Sequence, residues 1–413
     1  MNIAMISYHT CPLATLGGKD TGGMNVYVRD LTRNLGKFGY HADVFTRSQD
    51  EHVPHVLHDL GYGNRVVHIP AGHEVPLPKK ELMNYTNQFA QGVIDFASKK
   101  DIHYKIIHSH YWLSGIVAGQ LKKNWDIPII QMFHTLSKLK NINRSTLDRE
   151  EVGFREKGEQ KVMGIADRII AATDDEADKM SQLYKVDSEK IRVIPPGVDL
   201  SRFYPIPSDE AKAVVGVPQN ESMILFVGRI EPLKGVDKLI YAMAQLRKAD
   251  IFSECPHYLI IIGGDPDVQE SKMNKEMLRL KKLCADLNMQ NLVLFLGKKD
   301  QDSLPYYYSA AETVVVPSYY ESFGLVALEA MACGTPVIAT QVGGLSSIVK
   351  NQVTGFTIPL DDSNALEEAL TKLICKPELR RKMSLNGLKY AKSFSWEKIT
   401  PKVFHEYKNM IKQ

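Results

Sequence analysis

The sequence predicts two α/β domains in tandem, each built on a doubly wound parallel sheet. Short apolar runs alternate with helical segments through the first half of the chain. The segment IPPGVDLSRFYP, with Pro195, Pro196 and Gly197 as breakers, then interrupts the alternation, which restarts and continues towards the C-terminus. Because strand–helix alternation produces right-handed βαβ units, each half is expected to form its own parallel sheet.

The first domain is placed at residues 1–195 and the second at 196–389. The tail 390–413 contains Trp396 and Tyr407 and is expected to pack back on the first domain. In open α/β sheets, ligands bind at the carboxyl ends of the strands. A ligand cleft is therefore expected where the strand ends of the two domains face each other.

Each predicted element is a short apolar run or a helical pattern bounded by breakers. In the first domain, strands are expected at 2–7, 42–46, 66–69, 106–109, 129–133, 168–172 and 191–194, and helices at 24–38, 82–99, 114–125 and 151–165. In the second, strands are expected at 223–227, 258–262, 292–296, 313–316 and 336–339, followed by a turn-rich GFTI at 355–358. Its helices are expected at 235–248, 275–287, 303–310, 324–332 and 365–373.

Composition excludes several classes of protein. The chain has 413 residues, 44% of them hydrophobic, and a net charge of +3, so no concentrated basic face for nucleic acid is expected. Its five cysteines show no CxxC spacing, which argues against a disulfide framework or a zinc site. No long uncharged apolar window predicts a membrane span, and the N-terminus resembles a first strand rather than a signal peptide. A cytoplasmic protein is expected, and a homodimer is left open.

A glycine-rich turn, GGKDTGGMNVY at 17–27, is predicted to follow the first strand directly and to open a helix. Glycines let the backbone approach a ligand closely, and N–H groups at a helix N-terminus attract phosphate. The segment is not a GxGxxG fingerprint, and no acidic residue stands where one would bind the ribose of a dinucleotide. A flexible surface turn is the alternative.

Two cations, Arg229 and Lys234, follow the first strand of the second domain in FVGRIEPLKGV. An arginine fork and a lysine point charge at the carboxyl end of a strand can grip a diphosphate. A pair of solvated surface charges is the alternative interpretation.

Two glutamates eight residues apart, Glu321 and Glu329, lie in ESFGLVALE. Glu321 is expected in a loop and Glu329 inside a helix, in an apolar setting that requires a hydrogen-bonding partner such as a ribose. The N–H groups near Phe323, Gly324 and Leu325 open this helix and can hold phosphate. Two carboxylates on a helix surface are the alternative.

Candidate residues for an anionic acceptor lie near the ends of first-domain strands or just before helices. A single histidine at a strand end is more often a structural hydrogen-bonder than a catalyst, so no member of this set stands out individually. The set consists of Lys79, Lys80, HSHYW at 108–112, His134, Thr135 and Arg155.

These motifs in this order resemble the retaining glycosyltransferases of family 4, which have the GT-B fold of two Rossmann-like domains. The resemblance covers essentially the whole chain. Its most specific parts are the EX7E motif from Glu321 to Glu329, GRIEPLKG, and HTCPL with GGMNVYV and VFTR. HSHYWLSG, FHT at 133–135 and ESFGLVALEAMACGTPVIA are similar to the D-inositol-3-phosphate glycosyltransferases, which use UDP-N-acetylglucosamine.

The resemblance implies a role for each matching residue. The diphosphate of a UDP-sugar would contact Gly23, Arg229, Lys234 and the helix start at Phe323, Gly324 and Leu325. Glu329 would bind the ribose and Glu321 a hydroxyl of the donor sugar. The phosphate of the acceptor would be held by Lys79, Tyr111, Thr135 and Arg155, with Lys80 aligning as well as Lys79, and Asn25 and His134 would lie near the acceptor ring. The catalytic group would be Arg229, Lys234, Glu321 and His134.

Sucrose-phosphate synthases, which transfer glucose from UDP-glucose to fructose 6-phosphate, resemble the chain as well. Their opening motif usually has Gln after the double glycine, where this chain has Met24. That difference favours the inositol-phosphate type. The motifs are also compatible with a sugar-nucleotide epimerase, a phosphorylase or a catalytically silent sugar-nucleotide-binding protein.

The expected mechanism keeps the anomeric configuration and uses no metal or other cofactor. The leaving diphosphate itself accepts the proton of the acceptor hydroxyl, and Arg229 and Lys234 stabilise the charge that develops on it. Asp265 and Asp267 form a DxD pattern by letter but follow a strand end, where capping of the turn is the favoured role. Closure about the segment near Pro195 is expected to accompany catalysis.

Overall fold

Two parallel β-sheets organise the chain, one in each of two units. In the computed structural model, unit 1 comprises Met1–Ala14, Gly23–Gly197 and the C-terminal segment from Trp396, and unit 2 comprises Thr15–Gly22 and Val198–Ser395. The structure describes residues 1–18, 21–141, 149–249 and 257–411, with side chains from residue 153 onward in the third range.

Unit 1 contains an eight-stranded sheet in the described part of the chain. The strands are β1 (Asn2–Ile6), β2 (His41–Arg47), β3 (Val56–Leu57), β4 (Arg65–Ile69), β5 (Tyr104–His110), β6 (Ile129–Met132), β7 (Arg168–Ala171) and β8 (Ile191–Val193). The order is β3-β4-β2-β1-β5-β6-β7-β8, and only the short β3 is antiparallel to its neighbour. The helices are α1 (Gly23–Lys37), α2 (Lys79–Leu82), α3 (Thr86–Lys99), α4 (Trp112–Trp125), α5 (Ser137–Asn141), α6 (Arg149–Ile165) and α7 (Asp174–Tyr184).

The strand order of unit 1 reverses between β1 and β5. Strand β1 is apolar and buried throughout its centre, because helices cover both faces of the sheet. Helix α1 follows the loop after β1, and α4 begins directly after β5. The carboxyl ends of β1 and β5 therefore lie together at the switch point, where doubly wound sheets bind ligands.

Unit 2 contains a six-stranded parallel sheet within the described residues. The strands are β9 (Ser222–Val227), β10 (His257–Ile262), β11 (Val293–Gly297), β12 (Thr313–Val316), β13 (Val337–Thr340) and β14 (Gly355–Ile358), in the order β11-β10-β9-β12-β13-β14. The helices are α8 (Ser208–Val215), α9 (Val236–Lys248), α10 (Lys275–Asp286), α11 (Leu304–Ala310), α12 (Leu325–Ala332), α13 (Gly343–Ile348), α14 (Ser363–Cys375) and α15 (Pro377–Ala391). Its switch point lies between β9 and β12.

The final helix, α16 (Trp396–Ile411), belongs to unit 1 although it follows unit 2 in sequence. Trp396 and Tyr407 are fully buried in it, and Phe404 packs on Phe38 and Tyr40. The chain leaves unit 2 between Ser395 and Trp396, later than the expected residue 390.

The predicted fold class is confirmed, and every predicted strand overlaps an observed one. The expected helix 82–99 is interrupted by a 3-10 turn at Met83–Tyr85. The glycine-rich turn at 17–27 does not follow β1 directly, since residues 7–16 lie between them. Lys19 and Asp20 of that turn lie outside the described residues. Cys11, Cys284, Cys333 and Cys375 are free thiols, and Cys255 lies outside the described part. No described helix has both the length and the apolar character that crossing a bilayer requires.

Candidate active site

In unit 2, the loop after β9 is packed tightly against the segment after β12. Lys234 ends a 3-10 turn, Pro232–Lys234, and is followed by Gly235 with a φ of 64°. A Cβ at Gly235 would lie 2.2 Å from the Pro317 carbonyl oxygen, so only glycine fits there. This close approach holds Lys234 beside the residues that precede α12.

Lys234 and Glu321 form an ion pair at that point. Lys234 Nζ lies 2.6 Å from Glu321 Oε2, and the two side chains are 19% and 20% exposed. The Glu321 carbonyl accepts a hydrogen bond of 3.0 Å from the Gly344 N–H, which fixes the backbone of Glu321. The cation predicted for a diphosphate and the carboxylate predicted for a sugar hydroxyl are thus directly coupled. Arg229 pairs with Glu231 at 2.9 Å.

Helix α12 starts where the sequence predicts. Gly324 precedes it with a φ of 99°, and Leu325 is its first residue. Phe323 is buried, with its ring against Phe394. The N–H groups of the first turn of a helix have no intrahelical acceptor, and they carry a partial positive charge that suits phosphate.

Glu329 is buried in α12 and already has a partner within unit 2. The Tyr308 hydroxyl donates a 2.8 Å hydrogen bond to Glu329 Oε2. Burial raises the pKa of Tyr308 well above its ordinary value, and the Glu329 carboxylate raises it further, so the hydroxyl remains a donor. The apolar setting of Glu329 therefore does not by itself require a ribose. No sequence motif indicated Tyr308, because only the adjacency of α11 and α12 in the fold brings it to this carboxylate.

The DxD-like pair, Asp265 and Asp267, lies in the loop after β10. Asp265 forms a 2.9 Å ion pair with Lys298. Among the described residues, no group of three or more histidine, cysteine, aspartate or glutamate side chains is arranged to hold a metal ion.

In unit 1, Tyr111 has a backbone conformation that is unusual for a residue with a side chain. Its φ of 74° and ψ of 156° lie in a region that glycine almost alone occupies. The Tyr111 N–H donates to the Met132 carbonyl at 2.8 Å, and its carbonyl accepts from Gln131 Nε2 at 3.2 Å. Such strain persists only where the surroundings impose it, and it concentrates at functional sites.

Two cations flank the ring of Tyr111. Lys79 Nζ lies 5.5 Å from the ring centroid and the Arg155 guanidinium carbon 5.1 Å from it. Lys80 is exposed, whereas Lys79 is half-buried. Of the two lysines that the motif left open, the structure places Lys79 at Tyr111.

Arg155 is held in place by acceptors on two sides. Its Nη2 donates to the carbonyl and hydroxyl oxygens of Thr135 at 2.8 and 3.0 Å, and its Nε donates to Glu159 Oε1 at 2.7 Å. Glu159 is fully buried and also accepts from the Tyr184 hydroxyl and the Ser137 N–H. Burial raises the pKa of Glu159, and Arg155 opposes that shift. Glu159 was not among the predicted site residues, although its spacing of four from Arg155 on a helix was a usable signal.

Asn25 and Gly23 lie at the start of α1. The Asn25 amide donates to Thr10 Oγ1 at 2.8 Å and to the Cys11 carbonyl at 2.7 Å, so it fixes the loop after β1. Gly23 is the first residue of the helix, while the preceding Thr15–Gly22 groups with unit 2.

His134 is a neutral residue with left-handed backbone geometry. Its φ is 59°, and burial lowers its pKa to about 3. His134 Nε2 lies 3.0 Å from Nδ1 of His110. His134 was predicted as a member of the catalytic group. With this pKa it is a poor general base at neutral pH, since an effective base has a pKa near the working pH.

The comparisons with known proteins agree with this architecture. Residues 21–202 match the model described as Glycosyltransferase Family 4, and residues 207–390 match Glycosyl transferases group 1. The chain is 38% identical to the D-inositol 3-phosphate glycosyltransferase of Actinosynnema mirum, over 98% of this chain and 96% of that protein. It is 37% identical to the enzyme of the same name from Saccharomonospora viridis, over 99% and 94%.

Among solved structures, the sucrose-phosphate synthase of Thermosynechococcus elongatus aligns with a TM-score of 0.89 and 34% identity, over 99% of this chain and 98% of that one. The two parallel-sheet units and these likenesses define a glycosyltransferase with the GT-B fold. The chain belongs to glycosyltransferase family 4.

Proposed function

We propose that the chain transfers a hexose or N-acetylhexosamine from a UDP-sugar to a phosphorylated small acceptor such as inositol 3-phosphate, with retention of configuration. The name shared by its curated relatives supports the acceptor class. The observation that carries the proposal is the pair of cations, Lys79 and Arg155, on the ring of a strained Tyr111. Two cations beside one tyrosine ring suit a phosphate monoester, which carries two negative charges.

On the donor side, the proposal assigns the diphosphate to Lys234, Arg229 and the first turn of α12. Each cation is paired with a carboxylate, Glu321 or Glu231, that fixes its position. Lys234 has three N–H donors and can keep Glu321 while binding a phosphate oxygen. Through the same contact, Lys234 orients Glu321 for a hydroxyl of the donor sugar.

In the proposed reaction, the bond between the anomeric carbon and the diphosphate oxygen breaks while the acceptor oxygen attacks from the same face. The leaving diphosphate takes the proton of the acceptor hydroxyl. Lys234, Arg229 and helix N–H groups stabilise the charge that builds on this oxygen. A neutral His134 with a pKa of about 3 fits this scheme, because no side-chain base is needed.

Sucrose-phosphate synthesis from UDP-glucose and fructose 6-phosphate is the second candidate. The TM-score of 0.89 to a sucrose-phosphate synthase favours it, and the same cations would serve fructose 6-phosphate.

A UDP- and GDP-release screen separates the candidates. UDP-glucose, UDP-N-acetylglucosamine and GDP-mannose are each combined with inositol 3-phosphate or fructose 6-phosphate, and with the unphosphorylated inositol and fructose as controls. We expect release with UDP-N-acetylglucosamine and inositol 3-phosphate, and about 100-fold lower kcat/KM without the phosphate. Release with UDP-glucose and fructose 6-phosphate alone would support the second candidate, and equal rates with unphosphorylated acceptors would contradict both.

The matched variants Lys79→Ala and Lys80→Ala test the acceptor group. Lys79→Ala should raise KM for the phosphorylated acceptor by about tenfold or more, because a charge-assisted contact to phosphate is lost. Lys80→Ala, at the exposed neighbouring position, serves as the control. The reverse order of effects would contradict the assignment.

A further inference from the structure

A cluster of three histidines lies behind the predicted acceptor residues of unit 1. His108 and His110 are on β5 with fully buried side chains, and their ring centroids are 4.3 Å apart. His108 Nδ1 is 2.7 Å from the Tyr407 hydroxyl of α16. His110 Nδ1 is 3.0 Å from His134 Nε2. His134 is therefore joined to the interior by one hydrogen bond between two imidazoles.

All three imidazoles are neutral at physiological pH. Burial lowers the pKa of His108 and of His134 to about 3, and it lowers the pKa of His110 well below the ordinary value. The neighbouring histidines add to the shift for His108 and His110, since one positive ring disfavours another. Each ring accordingly carries one proton, and the bond between His110 and His134 has one donor and one acceptor.

The remaining nitrogen of His110 decides which ring donates. His110 Nε2 is buried and has no hydrogen-bond partner among the described residues. If the His110 proton were on Nε2, an N–H donor would be buried without an acceptor. If the proton is on Nδ1, then Nε2 is an acceptor, and only its lone pair is buried without a hydrogen-bond partner. Buried N–H groups without acceptors are the rarer of the two in proteins, so the proton belongs on Nδ1.

We propose that His110 is a positioning residue that donates its Nδ1–H to His134 Nε2 and so holds His134 in the Nδ1-protonated tautomer. His134 is partly exposed, and its Nδ1–H then serves as a hydrogen-bond donor to an oxygen atom of bound substrate. This inference rests on the proposed function for the identity of that substrate. It excludes His134 Nδ1 as acceptor of the hydroxyl proton, which goes to the leaving diphosphate.

Nitrogen NMR of histidine side chains tests the tautomer directly. The chain has 13 histidines, few enough for selective 15N-histidine labelling of the whole protein. The His110→Asn and His134→Asn variants assign the two residues by loss of their signals. In the wild type, we expect protonated shifts for Nδ1 and unprotonated shifts for Nε2 in both residues. A protonated Nε2 on His134 would overturn the proposal.

Two variants of His110 then separate positioning from packing. In His110→Leu, His134 Nε2 loses its donor, so His134 should move towards the Nε2-protonated tautomer and kcat should fall by about tenfold. His110→Asn keeps an amide donor near the position of Nδ1 and should restore both the tautomer and most of kcat. If kcat falls equally in both variants while the tautomer is unchanged, the positioning role is refuted.

The tautomer is measured without substrate, so its outcome is independent of the proposed function. The predicted tautomer together with no nucleotide release from any donor and acceptor pair would refute the proposed function and leave the His110–His134 assignment intact. The opposite tautomer in an active enzyme would refute this inference alone.

Discussion

Replacing Tyr111 by glycine should be less damaging to unit 1 than replacing it by alanine. At most positions glycine is the worse choice, because it gains more backbone freedom in the unfolded chain. Tyr111 has a φ of 74° and a ψ of 156°, where a residue with a Cβ is strained and glycine is not. Both variants lose the same buried ring, so their difference isolates the backbone.

The size of the effect follows from two opposing contributions. A residue held in this region costs about 1–3 kcal/mol, which glycine relieves and alanine retains. The greater freedom of unfolded glycine subtracts about 0.5–1 kcal/mol. The glycine variant should therefore have the larger free energy of unfolding, by about 1 kcal/mol at the centre of these ranges and by about 2.5 kcal/mol at most. This ordering is opposite to the one found at an unstrained site.

Tryptophan fluorescence makes the measurement specific to unit 1. The chain has three tryptophans, Trp112, Trp125 and Trp396, and all three belong to this unit. Urea unfolding followed by their emission gives the midpoints of the two Tyr111 variants. Gln91, exposed in the middle of α3, provides the control pair, where Gln91→Gly should be less stable than Gln91→Ala by about 1 kcal/mol.

Backbone strain at Tyr111 is refuted if the glycine variant of Tyr111 is less stable than the alanine variant, as it is expected to be at Gln91. In that case the backbone at Tyr111 would store no strain, and the hydrogen bonds of Tyr111 with Gln131 and Met132 would not be imposing an unfavourable conformation. Activity does not enter the comparison, since both variants lack the ring that carries the two cations.

Three further predictions concern turnover, the pH dependence of stability and the effect of a chelator. Lys234→Ala should slow turnover by about 100-fold, the loss of one charge-stabilising donor of ~3 kcal/mol, while Lys282→Ala at an exposed pair with Asp286 serves as the control. Because burial lowers the pKa of His134 to about 3 from 6.5, the folded state binds fewer protons than the unfolded state between those values, and stability falls as the pH is lowered. Asparagine tolerates the left-handed backbone, so His134→Asn should reduce the slope of the free energy of unfolding against pH by about 1.4 kcal/mol per pH unit between about pH 6 and 4. His405→Asn, at an exposed position, serves as the control. Turnover should persist in EDTA, and its loss would contradict the metal-free scheme.

The fold could be predicted from the sequence because buried parallel strands are continuous apolar runs between breakers. Helix α7 was missed because its first turn is acidic and its sequence, DDEADKMSQLY, is largely polar. The strand at Gly355–Ile358 resembled a turn because it is short and begins with glycine. Such elements are stabilised by the sheet they join rather than by their own sequence pattern.

The candidate site could be predicted from the sequence only in part. Motifs singled out Lys234, Glu321 and Arg155, but nothing in the sequence indicated that Lys234 and Glu321 form one ion pair. The partners Tyr308 and Gln131 contact their targets across long stretches of chain, so no local spacing predicts them. The strain at Tyr111 could not be predicted from the sequence, since a bulky residue such as tyrosine is rarely found at a glycine-like φ.

The discontinuity of unit 1 has a consequence for biosynthesis. The hydrogen bond between His108 and Tyr407 spans 299 residues of sequence, and Trp396 contacts the ring of Tyr27 across an even longer stretch. The ribosome must therefore complete all of unit 2 before α16 can cover the interior of unit 1. During that interval the nascent first unit exposes the apolar surface that α16 later covers, and such exposed surface favours aggregation and chaperone binding.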